Sequence, residues 1–342
     1  MQQKILITVI IPTYKHEERF TNLIDLVCSL STTSNIKYIK EIILVDNGNS
    51  LSLDSDILKF KNYNNVKIIE EKSIGLNYAR NTGIIEATTD IIAFLDDDVV
   101  VSEYWAESIS KGYNEQNILC VGGPVFVKDK ETKKWPTWFS NYFLRFLLPP
   151  DFPKQAGHLY MPYYIIGANM SFKREVFEKF GMFDPNLDRK GNNLLSNGDT
   201  EFLIRIPQSM VWYEPQAEVW SKIKERRLTR IFMTRRLFWQ GISDYIMVEK
   251  RGLENFYDKK EVCLTRHFLK EWIQAINKFN FFEAFCRLIR LFGYKYAFRY
   301  MKKKRGRTRL PLLDNCENLI NSILWAINPV VNLMLYVFPK LD

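Results

Sequence analysis

The sequence is poor in the residues that build disulfide frameworks, zinc sites and low-complexity segments. Only 5 of its 342 residues are cysteine and 3 are histidine. The cysteines are widely spaced and no two form a CxxC pair, which argues against a disulfide framework or a zinc site and favours reduced thiols. With 15 glycines and 13 prolines, the composition excludes a collagen-like or low-complexity chain.

Long apolar runs and glycine-rich phosphate loops are also missing. No uninterrupted run of 20 apolar residues occurs, which excludes a clean multi-span membrane protein. The GxGxxG and GxxxxGK[ST] patterns are both absent, so neither common nucleotide-phosphate loop is present. The apolar run at residues 5–11 is short and ends at Pro12, which favours a buried strand over a signal peptide.

Acidic residues are scarce in the last third of the chain. Residues 1–220 carry 23 Lys+Arg and 28 Asp+Glu, whereas residues 221–342 carry 25 and 11. This asymmetry predicts an acidic, enzyme-like body and a basic tail that faces an anionic partner. We therefore predict two domains, a body at residues 1–225 and a basic, aromatic-rich helical region at residues 226–342.

Strand and helix patterns alternate through the first 130 residues. Apolar runs at 5–11, 41–46, 66–70 and 90–96 predict strands, with helical patterns between them. Strands that are apolar throughout are typical of a parallel sheet covered on both faces. The predicted fold class is α/β, a doubly wound and mostly parallel sheet followed by a helical extension.

Polar and acidic residues stand at the ends of these predicted strands. Pro12, Thr13 and Tyr14 end the first strand, and Asp46 ends the second. The run Asp96-Asp97-Asp98 ends the fourth. Because ligands of such sheets bind beyond the carboxyl ends of the strands, these residues are expected to meet in one crevice.

Three consecutive carboxylates at the end of a buried strand repel one another, and a cation would relieve that repulsion. Hard oxygen ligands suit Mg²⁺ or Mn²⁺, with phosphate oxygens completing the coordination. The alternative is a solvated acidic turn before a helix, where Asp is favoured by the helix dipole.

Further polar residues have both a functional and a structural interpretation. Asp46 suits a hydrogen bond to a nucleobase or ribose, or an Asx-turn. Arg80, in a predicted helix, suits a diphosphate, or a plain amphipathic surface. Asp199 is a candidate general base, with Glu201 as the second candidate, although Asp199 could also simply cap a helix.

Taken in order, six segments resemble the inverting family-2 glycosyltransferases of the GT-A fold. Each segment alone is weak evidence for the family, but the order and spacing of all six agree with it over roughly residues 5–240. They are VIIPTY (9–14), IILVDNGNS (42–50), IGLNYARNTGI (74–84), IIAFLDDDV (91–99), IGANMSFKREVFEKFGMFD (166–184) and NGDTEF (197–202).

The resemblance implies a donor site for a nucleotide-diphospho-sugar. Residues 12–14 match the first nucleotide-contacting loop, Asp46 the residue that holds the base, and Arg80 an arginine of the diphosphate region. Asp96 and Asp97, in the place of the DxD motif, are implied donor contacts. Asp98 is the implied metal ligand.

The same resemblance implies where transfer takes place. Gly167, Ala168 and Asn169 match the loop under the donor sugar and acceptor, with Glu201 nearby. Asp199 matches the catalytic base.

Two departures from the family pattern stand out. The usual Glu-Asp pair is Gly198-Asp199 here, so one carboxylate is lost from the acceptor site. Trp220 stands where many relatives carry a histidine, which leaves the metal to Asp98, diphosphate and water. The QxxRW motif of processive synthases is absent, so transfer of one sugar at a time is expected.

The predicted function is therefore metal-assisted, inverting transfer of one sugar from a nucleotide-diphospho-sugar, with UDP the expected nucleotide. The expected acceptor is a glycan, an exopolysaccharide or a lipid-linked molecule. We expect a cytoplasmic protein that touches the inner face of the membrane through residues 279–338, and no nucleic-acid partner. The alternative is a basic nucleic-acid- or membrane-binding protein with a catalytically inactive body.

Overall fold

The computed structural model describes residues 4–14, 19–48, 60, 63–128, 134–147, 152–160, 165–191, 193–250, 272–275 and 280–303. These residues fall into two units. The first lies within Met1–Glu131, Leu148–Gly191 and Gly198–Ile223, and the second within Thr132–Leu147, Asn192–Asn197 and Lys224–Asp342. A functional division after residue 225 stays a prediction.

The first unit consists of strands and helices in alternation. Its strands are β1 (Ile7–Thr13), β2 (Ile39–Asn47), β3 (Val66–Glu71), β4 (Ile91–Leu95), β5 (Val99–Val101), β6 (Cys120–Gly122), β7 (Val125–Val127), β8 (Gly157–His158), β9 (Asn169–Lys173), β10 (Val211–Tyr213) and β11 (Val219–Ser221). Its helices are α1 (Arg19–Leu30), α2 (Leu76–Glu86), α3 (Trp105–Gly112), α5 (Glu175–Phe180) and α6 (Gly198–Ile204).

The main sheet has the order β3-β2-β1-β4-β9-β6-β10-β8. The four strands predicted from the apolar runs are mutually parallel neighbours, which confirms the α/β, mostly parallel fold. β9 is antiparallel to both β4 and β6, which hydrophobic periodicity alone could not reveal. A second sheet has the order β5-β11-β7.

Helices cover both faces of the main sheet, which is why its central strand is apolar throughout. All seven residues of β1 are buried. Ile7, Val9 and Ile11 pack into one apolar cluster with side chains of α1 and α3, whereas Ile10 packs into a second cluster with α2. Because side chains alternate along a strand, one apolar run supplies both cores.

A cluster of phenylalanine rings fixes α5 and α6 against the second face of the sheet. Phe94 of β4 and Phe172 of β9 meet edge to face, with ring centroids 6.1 Å apart. Phe202 of α6 lies 4.4 Å from the ring of Phe183 and 5.2 Å from that of Phe172. Burial of these rings holds the short helix α6, whose first turn carries Asp199, against the strand ends.

Asn169, the first residue of β9, joins three elements through its amide. Its side chain is fully buried. Its Oδ1 accepts a hydrogen bond from Trp105 Nε1 (2.9 Å), and its Nδ2 donates to the carbonyls of Pro124 (3.1 Å) and Ala217 (2.8 Å). This placement favours a structural role for Asn169 over the sugar contact that the resemblance implied.

The second unit is helical, as predicted for the C-terminal region. It contains α4 (Asn141–Leu144), α7 (Arg230–Lys250) and α8 (Phe281–Lys303). α7 and α8 pack closely: a Cβ at Gly241 would lie 2.0 Å from the carbonyl oxygen of Arg290, and one at Gly293 would lie 2.2 Å from that of Phe238. Asp244 of α7 accepts hydrogen bonds from Arg290 Nε (2.9 Å) and Nη2 (2.6 Å) of α8.

Substitution Asn169→Ala is expected to lower the free energy of unfolding by about 2–5 kcal/mol, because it leaves one indole N–H and two carbonyls buried without their partner. The measurement is urea unfolding followed by circular dichroism. The exposed Asn114→Ala is the control and should change the value by no more than about 0.5 kcal/mol. Equal stability of the two variants would show that the Asn169 amide does not hold these elements together.

Candidate active site

The predicted strand-end residues come together at one edge of the main sheet. β1 lies between β2 and β4, and Thr13 stands directly beside Asp46 in the parallel register. Thr13 Oγ1 also donates a hydrogen bond to Asp97 Oδ2 (2.7 Å). One threonine therefore links the ends of three neighbouring strands.

The same edge carries an aromatic residue beside a glycine turn. Tyr14 is 40% exposed, and its ring packs against Gly48. Gly48 has a φ of 130°, a conformation that favours glycine. Asp46, in contrast, is buried. The exposed ring beside a buried carboxylate gives this part of the edge an apolar surface and a hydrogen-bond acceptor, which is the chemistry needed to hold a nucleobase.

The three consecutive aspartates are only partly exposed and share a field of negative charge. Burial and then repulsion by Asp98 raise the pKa of Asp96 to about 6, although Arg80 and Arg189 oppose the rise. A nearby cation stabilises the ionised form of such a carboxyl group and so lowers its pKa. Among the described residues, no three His, Cys, Asp or Glu side chains are placed so that they could hold one ion together. Mg²⁺ and Mn²⁺ commonly take one or two protein carboxylates with other ligands from substrate oxygens and water, and the chemistry of Asp96 to Asp98 fits such a cation.

Arg80 is held inside the protein. It is 3% exposed, and its Nη1 donates to Asp188 Oδ2 (2.9 Å) and to Asn77 Oδ1 (3.0 Å). Its guanidinium also lies 5.4 Å from the ring centroid of Phe183. The ion pair with Asp188 and the hydrogen bond to Asn77 engage the guanidinium inside the protein. This favours a positioning role for Arg80 over the direct diphosphate contact that the resemblance implied.

The sequence analysis missed Asp188, the partner of Arg80. Burial raises the pKa of Asp188, and the Arg80 guanidinium opposes that rise. Asp188 also has a φ of 69°. The only sequence signal was the polar run FDPNLDRKG, in which nothing separates Asp188 from Asp184.

Asp199, the predicted base, lies next to Arg80 and Gly167. Its Oδ2 accepts a hydrogen bond from the N–H of Gly167 (2.9 Å), and its Oδ1 accepts one from the N–H of Thr200 (2.8 Å). A Cβ at Gly167 would lie 2.8 Å from Arg80 Nη2 and 2.9 Å from Asp199 Oδ2, so a larger residue would displace one of these side chains. The structure therefore brings Arg80, Gly167 and Asp199 into one cluster.

Glu201, the second candidate base, is 5% exposed and pairs with Arg205. Arg205 in turn donates to the carbonyls of Phe180 (3.0 Å) and Met182 (2.8 Å). This engagement makes Glu201 an anchor between α6 and the end of α5. Asp199, which is less buried, is the better candidate to meet an acceptor.

Trp220 lies in β11, which pairs with the strand that follows Asp98. It stands opposite Val100 of β5, and its ring centroid lies 6.1 Å from that of Phe126. An indole ring supplies no metal ligand at this position. A metal held near Asp98 would have no histidine ligand from Trp220.

Comparison with known proteins finds relatives of this chain among the glycosyltransferases. The family model described as "Glycosyl transferase family 2" matches residues 8–181. A glucosyl-dolichyl phosphate glucuronosyltransferase of Haloferax volcanii is 29% identical over 248 residues, which cover 70% of this chain and 77% of that protein. The glycosyltransferase AglE of the same organism is 34% identical over 121 residues, 35% of this chain and 39% of AglE.

Solved structures agree with the fold. A crystal structure of GalNAc-T7 with UDP, GalNAc and Mn²⁺ superposes with a TM-score of 0.51 at 15% identity, covering 78% of this chain and 58% of that one. At this identity the likeness shows the GT-A fold alone. The family match extends over half of the chain and includes the three strand ends and the Gly167 loop. The protein belongs to glycosyl transferase family 2 and is a glycosyltransferase.

Proposed function

We propose that the protein moves one sugar at a time from a nucleotide-diphospho-sugar to an acceptor hydroxyl, with inversion at the anomeric carbon. The observation that carries the proposal is the hydrogen bond between the Asp199 carboxylate and Gly167, which also lies beside Arg80. Gly167 precedes Asn169, and Asn169 pairs with Leu95, the residue directly before Asp96 to Asp98. The arrangement supplies a base on one side and an acidic, cation-seeking cluster on the other. Inverting transfer needs the base, and the cation would assist departure of the diphosphate.

Asp199 acts as the general base in this proposal. Its two oxygens accept hydrogen bonds from the N–H groups of Gly167 and Thr200 and from the Thr200 hydroxyl (3.4 Å). A carboxylate has about four acceptor positions, so one remains for an acceptor hydroxyl. As that hydroxyl attacks the anomeric carbon, Asp199 takes its proton. The leaving nucleoside diphosphate departs from the opposite face of the sugar, which inverts the configuration.

The donor nucleotide lies along the ends of β1, β2 and β4. Asp46 accepts hydrogen bonds from the base, and the exposed ring of Tyr14, two residues after Pro12, covers it. Asp97, oriented by Thr13, accepts a hydrogen bond from the ribose or sugar. UDP is the proposed nucleotide, because the related GalNAc-T7 structure holds UDP.

Asp98 is the proposed ligand of Mg²⁺ or Mn²⁺, with Asp96 beside it. The fit rests on the crowded carboxylates and the raised pKa of Asp96. The bound ion would offset the charge that builds on the diphosphate as the glycosidic bond breaks. The GalNAc-T7 structure contains Mn²⁺, which supports a divalent ion for this chain as well.

The proposed acceptor is a glycan or a lipid-linked molecule, as in polysaccharide biosynthesis. The name of the Haloferax relative, a glucosyl-dolichyl phosphate glucuronosyltransferase, supports the lipid-linked choice. Within the described residues, no helix has the length and apolar character needed to cross a membrane. We propose a cytoplasmic protein that contacts the inner face of the membrane peripherally.

Helix α8 supports this contact. Phe281, Leu288 and Phe292 are exposed at spacings of seven and four, which puts them on one face, and the exposed Lys295 follows three residues later. Exposed apolar and basic side chains on one helix suit a membrane interface. The rest of the predicted contact, residues 304–338, lies outside the described residues.

Asp199→Asn is expected to lower kcat by about 10²–10⁴-fold, because the amide cannot take the acceptor's proton. The dissociation constant of the donor should stay within about twofold, since the side chain keeps its shape. Steady-state kinetics and calorimetric titration of the donor measure the two effects. Asp25→Asn, an exposed carboxylate of α1, is the matched control. A parallel loss of donor affinity and turnover would assign Asp199 to donor binding and remove it as the base.

Asp98→Ala is expected to abolish the part of nucleotide binding that depends on metal. A thermal-shift panel of UDP-, GDP- and dTDP-sugars, each with and without Mn²⁺, measures this, because a ligand that binds the folded state raises Tm. The wild type should show a larger shift with Mn²⁺, and the variant should show none of that increment. Full transferase activity in excess chelator would refute the metal assignment.

Replacing Lys302, Lys303, Lys304, Arg305, Arg307 and Arg309 by glutamine is expected to weaken binding to anionic vesicles at least tenfold, since each charge near the surface contributes roughly 1 kcal/mol. Sedimentation with phosphatidylglycerol vesicles measures the bound fraction. Lys37→Gln with Lys40→Gln is the control for loss of charge in the body. Unchanged sedimentation of the tail variant would exclude this basic run as the membrane contact.

A further inference from the structure

A groove opens at the edge of the main sheet where β6 and β10 begin. Its volume is about 380 Å³, within the range of about 300–1,000 Å³ that is typical of small-molecule sites. β6 is parallel to β10, and both β6 and β4 are antiparallel to β9. β6 and β10 therefore run in the same direction as β4 and its parallel neighbour β1. Their starts lie at the edge opposite the strand ends that carry Asp46 and Asp97, so the groove is separate from the candidate active site.

Main-chain hydrogen bonds fix two walls of the groove. One wall is the turn at residues 115–117, between α3 and β6, and another is the short 3₁₀ turn Gln208–Met210. The N–H of Leu119 donates to the carbonyl of Met210 (2.9 Å), which joins the two walls. The groove is therefore built into the fold, as binding sites for small molecules usually are.

Aromatic rings line the remaining side of the groove. His158 of β8 stands opposite Trp212 of β10 in the antiparallel register, so the two side chains lie on one face of the sheet. Their rings meet edge to face, with centroids 5.4 Å apart. Tyr160 extends this surface, since it is 54% exposed and its ring centroid lies 6.1 Å from that of His158. The groove thus has flat apolar faces that solvent can reach.

The polar side chains of the groove supply both donors and acceptors of hydrogen bonds. Gln116 and Asn117 each contribute an amide, Ser209 a hydroxyl and Glu115 a carboxylate. All four residues are exposed. Among the described residues that line the groove there is no lysine or arginine. A phosphate or another anion would therefore meet a carboxylate and no ammonium or guanidinium group, which disfavours an anionic ligand.

We propose that this groove binds a neutral saccharide, at a place separate from the site of sugar transfer. The carbon-bound hydrogens of a sugar ring form an apolar face that packs against aromatic rings, while its hydroxyls both donate and accept hydrogen bonds. The groove supplies both kinds of partner, the rings of His158 and Trp212 and the amides of Gln116 and Asn117. This inference goes beyond the proposed transfer, because a glycan held in the groove stays with the protein without occupying the catalytic edge.

Four trisaccharides test the site in the full-length protein. Three are neutral, namely maltotriose, cellotriose and triacetylchitotriose, and the fourth, trigalacturonate, is acidic. Each is titrated into the wild type and followed by saturation-transfer NMR. At least one neutral trisaccharide is expected to bind with a Kd on the order of 1 mM, as suits an open groove. Trigalacturonate should bind more weakly, because Glu115 repels its carboxylates.

Two substitutions of exposed groove residues locate the bound sugar. His158→Ala and Gln116→Ala should each weaken the neutral trisaccharide by about 3- to 10-fold, through loss of a ring contact and of hydrogen bonds. Gln216→Ala removes an exposed amide beyond the opposite end of β10 and is the matched control, with unchanged affinity. Circular dichroism and Tm verify that each variant is folded. UDP, titrated in buffer with Mn²⁺, should bind all three variants as it binds the wild type, because none of them alters the catalytic edge.

Each outcome has a defined meaning. A wild type that binds no neutral trisaccharide, or that binds trigalacturonate more tightly, overturns the inference. Equal affinity of the wild type, His158→Ala and Gln116→Ala overturns it as well, and a loss confined to Asp199→Asn would place the sugar at the acceptor site instead. A protein that binds the trisaccharide through the groove but does not bind UDP retains the inference and contradicts the proposed donor.

Discussion

A buried ion pair between Arg80 and Asp188 organises the catalytic edge of this protein. The two side chains join residues 108 positions apart in the chain, and each is largely shielded from water. Removing two charges from water is costly, and their attraction compensates only when further hydrogen bonds satisfy them. Asn77 supplies such a bond to Arg80. Loss of either partner would leave an unpaired charge beside Asp199, so the geometry of this proposed base depends on the pair.

The sheet around that pair provides a rigid frame. Because β1 contributes to apolar clusters on both of its faces, its end cannot shift without disturbing two cores. At the end of β1, the hydroxyl of Thr13 holds the carboxylate of Asp97 in place through one hydrogen bond. On the other side of the edge, the ring of Phe202 holds α6 in place beneath Asp199. The Asp199 carboxylate, the proposed base, is therefore held from two sides.

The sequence predicted the features that local pattern encodes and missed those that depend on distant partners. The parallel strands followed from apolar runs, and the meeting of Thr13, Asp46 and Asp97 followed from the parallel arrangement. The antiparallel direction of β9 did not, because an apolar strand pattern is the same in both directions. The burial of Arg80 could not be predicted from the sequence either. The pattern of its helix was compatible with a surface position, and its partner Asp188 lies in a polar loop far away in the chain.

Motif similarity likewise placed residues without giving their orientation. Asn169 occupies the position of a substrate loop, yet its amide bonds to α3 and to two carbonyls. Glu201 lies two residues after the proposed base, yet it pairs with Arg205. Two residues, about half a helical turn, separate the side chain of the proposed base from one that anchors the scaffold, and only tertiary contacts decide between them.

The hydrogen bond from the Gly167 main chain to Asp199 has a consequence for the evolution of such enzymes. The N–H that orients the Asp199 carboxylate belongs to the main chain, so it persists through exchange of side chains other than those of Gly167, Arg80 and Asp188. Side chains farther from Asp199 can then vary and admit differently shaped acceptors without turning the carboxylate of the proposed base. In this proposal the orientation of the base is inherited through the backbone, and acceptor selectivity through the side chains around it.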